Sequence, residues 1–503
     1  MAIQERLAGL LAQAAPATVA VVHSDTAWTW GQLSTLSQKL NGILNAVALG
    51  AGARVGVVLE NRPQFAAVAT SLLSTDRCLT TLSPLQPPER LCADIDASAL
   101  PVVVASATTL ALPGVRDAIV RHGRIIVLGW DGTCAMEPVE PILATDRPTA
   151  PGVAIEMLTS GTTGKPKRVQ LTYGQLATSI GSARMPGKVD GNGKIVLGTG
   201  ATIVSTPMVH IGGLWGVITS IYAGRRTVLL DRFTVPEWVD AVDTHKPRAA
   251  GLVPAAMQML IDADVPPHRL ASLQVVTSGT APCPPALADT MLERYGIRVL
   301  MTYGATEFSG AVAGWTKADH VQWWPAKQGA AGRAFPGVSL RVVTDQGAEL
   351  PVGSSGILEI RTAQAANGGR EWVRTSDLAR IDHDGFLWIE GRADDAIIRG
   401  GFKVHPAVVK AALERHPAVR EAAVVGVPHE RLGSVPIAAV IPRADVDRPT
   451  SDVLITACRE TLTPYEVPTR ITILDEFPRT AAMKVDRVRL LEVLGAPPQP
   501  VAG

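Results

Sequence analysis

Residues Thr159-Ser160-Gly161-Thr162-Thr163-Gly164-Lys165-Pro166-Lys167 gather hydroxyls, glycines and lysines directly behind a β-like run, 153–158. Glycines let the backbone curl so that successive N–H groups converge on one anion. Hydroxyls add donors with little bulk, and lysines add positive charge. A strand that empties into such a loop is a polyphosphate cradle. It is not a Walker A loop, which needs a glycine five residues ahead of its Gly-Lys, where Thr159 stands, and Ser or Thr where Pro166 stands. The plainer reading is a flexible Gly/Ser/Thr linker, and two lysines behind a strand do not suit it.

Further along, Tyr303-Gly304-Ala305-Thr306-Glu307 closes an expected strand, 299–302. In parallel sheets, ligands bind beyond the carboxyl ends of strands, which is where this segment falls. A carboxylate there suits a divalent ion that bridges protein and phosphate. Ser278-Gly279-Thr280-Ala281-Pro282 ends the preceding strand, 274–277, and reads equally as a Gly-Pro turn into a helix near Pro284. Asp377 could accept from two vicinal hydroxyls, although a lone Asp at a strand end is more often a turn former. His210 beside an apolar helix reads by itself as a packing residue, and Lys484 as a solvated lysine.

The run from Thr159 to Lys167 resembles the signature phosphate loop of the adenylate-forming superfamily: acyl-CoA synthetases, peptide-synthetase adenylation domains and luciferases. Segments from Trp28-Thr29-Trp30 to Lys484 match that family in order, so the resemblance covers nearly the whole chain. It assigns Thr159, Ser160, Gly161, Thr162, Thr163, Gly164 and Lys167 to the phosphates. Gly279, Thr280 and Ala281 become the small turn between adenine and the acyl pocket, and Thr302, Tyr303 and Gly304 the adenine side, with the Tyr303 ring stacked on the base. Thr306 would touch the α-phosphate, and Glu307, with Thr163, would hold Mg²⁺. Asp377 and Arg392 would meet the ribose, Asp394 would be the interdomain pivot, and Gly400 and Gly401 would line the pantetheine tunnel of CoA. Lys484 matches the catalytic lysine, and His210 the ring that positions the carboxylate and then gates CoA.

The chain departs from the family pattern at several places. Arg168 and Met483 replace glycines, Ser376 replaces another, and Val408 and Lys410 stand where relatives carry glutamates. Asp76-Arg77-Cys78 replaces a small-residue stretch, and nothing local accounts for it.

The resemblance implies a two-step ligase that joins a carboxylic acid to AMP and then to coenzyme A, with ATP, Mg²⁺ and CoA as its cofactors. The apolar neighbours of His210 suit an acyl or aryl acid over an amino acid. Two alternatives stay open: transfer to a separate carrier protein or an amine, and a non-catalytic nucleotide-binding homologue. A homodimer also stays open.

These groups must be positioned by elements far apart in the chain. Its 503 residues suggest about two to four domains. From about 150 to 303, short apolar runs alternate with helical patterns, which reads as parallel sheet covered by helices. The first 150 residues share the pattern, with strands expected at 55–59 and 102–105. After Gly329, short strands at 338–343, 356–361 and 386–390 suggest a small β subdomain, and a compact α+β pattern follows residue 395. The expected fold is α/β: an N-terminal adenylation domain, 1–393, and a mobile C-terminal domain, 394–503, carrying the lysine. Lys plus Arg (47) nearly balance Asp plus Glu (46), and no basic stripe argues for nucleic acid. The most apolar stretch, 211–224, is too short to span a bilayer. Five scattered cysteines form no CxxC pair, so neither a disulfide framework nor a zinc site is indicated. A cytoplasmic protein is expected.

Overall fold

Strands Val102–Ser106 and Cys78–Leu82 are buried at every position, which requires helices on both faces of their sheet. They belong to a seven-stranded sheet in the order Cys134–Met136, Arg124–Leu128, Val102–Ser106, Arg54–Val58, Cys78–Leu82, Val153–Thr159, Lys167–Thr172. The inner strands are parallel, and an antiparallel strand closes each edge. The computed structural model describes residues 2–138, 149–159, 167–182, 187–279, 281–444, 446–480 and 483–496.

A four-stranded sheet runs Ala201–Val204, Arg226–Leu229, Val19–His23, Thr26–Thr29. It shares one core with the seven-stranded sheet, filled by the helices Ile3–Gln13, Trp30–Ala46, Pro63–Ser74 and Ile211–Tyr222. Thr29 starts the second of these with a reciprocal capping box to Gln32.

The third sheet takes in the short strands of the expected small β subdomain. Its nine strands begin with the parallel Ala249–Gly251, Val275–Ser278 and Arg298–Ala305. They continue without a break through the antiparallel Gly310–Gly314, Gly332–Ala334, Phe386–Arg392, Val373–Ile381, Ser355–Thr362 and Val338–Val343. The strand expected to stop at 302 runs on to Ala305, because Gly310–Gly314 pairs with it in the register Thr302↔Gly314 to Ala305↔Gly310. The parallel and antiparallel regions are thus one hydrogen-bonded surface.

The smaller C-terminal domain has its own sheet, in which Gly433–Pro442 pairs with Val419–His429, Ile397–Arg399 and Ile471–Ile473. Two cores of its own hold it together. Among the described residues no helix is long and apolar enough to cross a membrane.

Candidate active site

The hairpin Val153–Thr159 and Lys167–Thr172 sets Thr159 opposite Lys167 in register. The cradle residues between them (Ser160, Gly161, Thr162, Thr163 and Gly164 included) lie outside the described residues, as does Thr280. What surrounds them is described. The strand Lys167–Thr172 lies alongside the 3-10 turn Thr306–Phe308. The helix that follows, Tyr173–Ser182, donates from Ser179 Oγ to the Ser309 carbonyl at 2.8 Å. The two motifs are therefore tied through their flanks. Glu307 presents an exposed side chain beside Thr306.

Tyr303 Oη donates to the Asp377 carboxylate across the nine-stranded sheet. Burial, reinforced by the Asp377 charge, pushes the Tyr303 hydroxyl well up, so it stays a donor. Asp377 lies within a strand, not at its end, and pairs in register with Arg392. The Arg392 guanidinium grips Asp394 at 2.8 and 2.5 Å. That fork holds the Asp394 carboxyl below its usual range and raises Arg392. In this arrangement the expected ribose contact and the expected pivot are partners of each other. Thr302 Oγ1 reaches the Ser278 carbonyl at 3.4 Å, joining the ends of two parallel strands beside Gly279.

Lys484 is carried on a tight turn, in which Met483 N–H donates to Thr480 and Thr480 N–H to the Lys484 carbonyl, both at 2.8 Å. Arg479 braces the turn, reaching the Met483 carbonyl at 3.2 Å and Glu421 at 2.6 Å. Met483 adopts φ +61, the left-handed region that favours the family's glycine. Lys484 keeps open surface yet is partly desolvated by the groups around it. That desolvation and the nearby Arg392 charge hold its ammonium below the usual lysine range.

His210 is the N-cap of the helix Ile211–Tyr222, and its N–H donates to the Pro207 carbonyl at 3.0 Å. Burial, then the Lys484 charge, depresses the imidazole pKa. The Lys484 charge thus reaches His210, and the Arg392 charge reaches Lys484. Gly400 and Gly401 do not join them. They form the exposed two-residue turn between Ile397–Arg399 and Phe402–Val404, with φ of +57 and +88 that glycine alone adopts freely. Next to that turn, Lys403 faces Asp345 at 3.9 Å, past the edge strand Val338–Val343. A second ion pair, Arg420 to Asp262 at 2.9 Å, also joins the two domains in this pose.

Several of the departures find partners. Arg168 donates to Asp94 at 2.7 Å and the Thr81 carbonyl at 3.2 Å. Arg77 is buried, donating to the Leu49 carbonyl, Asn41 and Asn45, while Asp76 takes a left-handed turn and accepts from Gln4. Lys410 pairs with Glu414 along its own helix at 3.6 Å. Asn61 carries no motif, yet it bonds to the backbone just ahead of His210. Its signal in the sequence is position alone, just past a parallel strand at 55–59.

Comparisons with known proteins identify the family and the fold. The sequence model described as AMP-binding enzyme matches residues 11–368, and that of the AMP-binding enzyme C-terminal domain matches 409–484. An indoleacetate–CoA ligase of Aromatoleum aromaticum is 32% identical over 354 residues, 66% of this chain and 66% of the ligase. A 2-succinylbenzoate–CoA ligase of Bacillus mycoides is 33% identical over 358 residues, 67% of this chain and 69% of the ligase. The chain thus aligns with about two thirds of the length of these relatives. The fold of o-succinylbenzoate CoA synthetase from Bacillus subtilis, solved with its acyl-adenylate, superposes with a TM-score of 0.77 at 24% identity over 98% of each chain.

Proposed function

This chain belongs to the AMP-binding enzyme family, and from that premise we propose that it is an AMP-forming acid–CoA ligase. The observation that carries the reading is that Lys484, on the smaller domain, lies near enough for its charge to act on His210 of the larger one, with Arg392 near the lysine and Tyr303 bonded to Asp377. A carboxylate and an α-phosphate repel each other, and the transition state between them gathers still more negative charge. In the first step the acid's oxygen attacks the α-phosphorus of ATP, pyrophosphate leaves and the acyl-adenylate forms. Lys484 supplies an ammonium to the charge that builds there. His210, held neutral, can donate one ring N–H to the carboxylate without adding charge. Thr159, Lys167 and the loop between them receive the polyphosphate, with Thr306 at the α-phosphate. Tyr303 stacks on adenine, and Asp377 accepts from the ribose hydroxyls.

Glu307 and Thr163 would hold Mg²⁺. A single exposed carboxylate beside phosphate oxygens and water is a donor set magnesium favours. When bound, the ion would neutralise charge on the leaving pyrophosphate.

In the second step the smaller domain turns about Asp394, with the boundary at 393/394, withdrawing Lys484 and presenting Gly400 and Gly401. The CoA thiol then attacks the adenylate carbonyl and AMP leaves. Separate demands for adenylation and thiolation favour two poses of one site. The placing of the Gly400–Gly401 turn near Asp345, with the Lys484 charge reaching His210, supports the adenylation pose here. Relatives named for indoleacetate and 2-succinylbenzoate support an aryl or acyl acid. The same reading makes this a cytoplasmic enzyme, since ATP and CoA are cytoplasmic substrates.

The test is acid-dependent exchange of pyrophosphate into ATP across fatty, aryl and dicarboxylic acids, followed by thioester formation with free CoA. Exchange without CoA turnover would move the acceptor to a carrier protein or an amine. No exchange with any acid would leave a nucleotide-binding homologue.

A further inference from the structure

Asn61 sits between the strand Arg54–Val58 and the helix Pro63–Ser74, and it is 8% exposed. Its side chain crosses from the seven-stranded sheet to the four-stranded one. Nδ2 donates to the Leu230 carbonyl at 2.8 Å and the Thr206 carbonyl at 3.2 Å, and Oδ1 accepts the Met208 N–H at 2.7 Å. Thr206 and Leu230 lie just past the carboxyl ends of the paired strands Ala201–Val204 and Arg226–Leu229. One amide therefore spends both donors and its acceptor on backbone at the edge of the site. On the helix side, Gly213 lies against the same segment: a Cβ there would come within 2.3 Å of the Pro207 oxygen and 2.5 Å of the Thr206 oxygen. The backbone is clamped between an amide and a glycine, and the Pro207 carbonyl receives the His210 N–H.

We propose that Asn61 is a positioning residue for the adenylation step, fixing the turn from which the His210 imidazole projects toward the acid. The proposal rests on the function given above. No other side chain of similar size satisfies the three backbone groups. Aspartate has the shape but would face two carbonyl oxygens without a proton to donate, and glutamine is one methylene too long.

The experiment measures pyrophosphate exchange and thermal unfolding for Asn61→Ala, Asn61→Asp and Asn61→Ser. The acid KM should rise about tenfold or more, consistent with losing buried hydrogen bonds, while the ATP KM stays within about twofold. In a His210→Ala background the same substitution should change the acid KM by less than about twofold, because the two residues act as one unit. An unchanged acid KM, or equal effects in both backgrounds, would overturn the proposal and leave Asn61 a structural residue. A second readout needs no turnover: the imidazole of isotope-labelled His210, assigned by His210→Gln, is followed by NMR in each folded variant. Its titration should move toward the ordinary imidazole value once Asn61 is lost, and an unchanged titration would overturn the proposal. Were the wild type to show no exchange with any acid, the ligase reading would fall, and the NMR arm would still decide whether Asn61 places His210.

Discussion

Lys484 acts on His210: its positive charge adds to burial in keeping the imidazole below its ordinary pKa. The lysine arrives on the smaller domain and the histidine on the larger one. The electrostatics around His210 therefore depend on the pose of the C-terminal domain.

Lys484→Ala is expected to slow pyrophosphate exchange by about a hundred- to a thousandfold. Thioester formation from preformed acyl-adenylate should stay close to wild type. Rapid-quench measurement of each half-reaction checks this, and equal loss in both would contradict the division of labour.

The pH profile follows from the same pair. Lys484 works as the ammonium and titrates below the usual lysine range, so adenylation should fall on the alkaline side earlier than a free lysine would allow. Lys484→Arg should remove that limb, since arginine stays charged. His210, shifted in the same direction, bears on stability. Its folded form binds a proton less readily than the unfolded chain, so its contribution to stability is complete above the ordinary imidazole pKa and is lost as pH falls below it. Exchange rates and unfolding midpoints across pH test both, and an alkaline limb at the usual lysine value would refute the first.

Asp377→Asn should raise the KM for ATP by about tenfold, because hydrogen bonds to a charged group are the stronger kind. It should also erase discrimination between ATP and its 2′- or 3′-deoxy forms. Tyr303→Phe keeps the ring and loses only the donor to Asp377, so its effect on ATP should be smaller. Deoxynucleotide discrimination retained in Asp377→Asn would remove that residue from the ribose.

Arg168→Gly restores the family's residue, yet it should destabilise the fold. Burial already pushes the Asp94 carboxyl up, and Arg168 is the partner that counters it. Removing one member of such a pair costs roughly 3 kcal/mol. Adding Asp94→Asn should recover part of the loss. Chemical denaturation of the single and double variants measures this, and a neutral single variant would show that the pair contributes nothing.

Much of the site was legible because its motifs are local. A hydroxyl- and glycine-rich run behind a strand, a Tyr-Gly-x-Thr-Glu segment and a lysine near the end can be read in order without knowing what faces what. The continuation of a strand through Tyr303 to Ala305 was not legible. Its partner, Gly310–Gly314, comes after a 3-10 turn and offers no alternation to read. Arg77 and Arg168 looked like oddities because their partners, Asn41, Asn45 and Asp94, are brought in by folding alone.

The order and type of the proposed chemical groups were thus written in the chain: the expected cradle, the carboxylates and Lys484 are each read from a few neighbouring residues. Tertiary structure decided which of them meet. The Lys484 charge reaches His210, Tyr303 bonds to Asp377 and Arg392 turns to Asp394, while Asn61 holds a backbone well over a hundred residues away. Hydrogen bonds and Coulomb interactions act through space over a few ångströms, so only the packing of the sheets and the pose of the smaller domain could bring those pairs within reach.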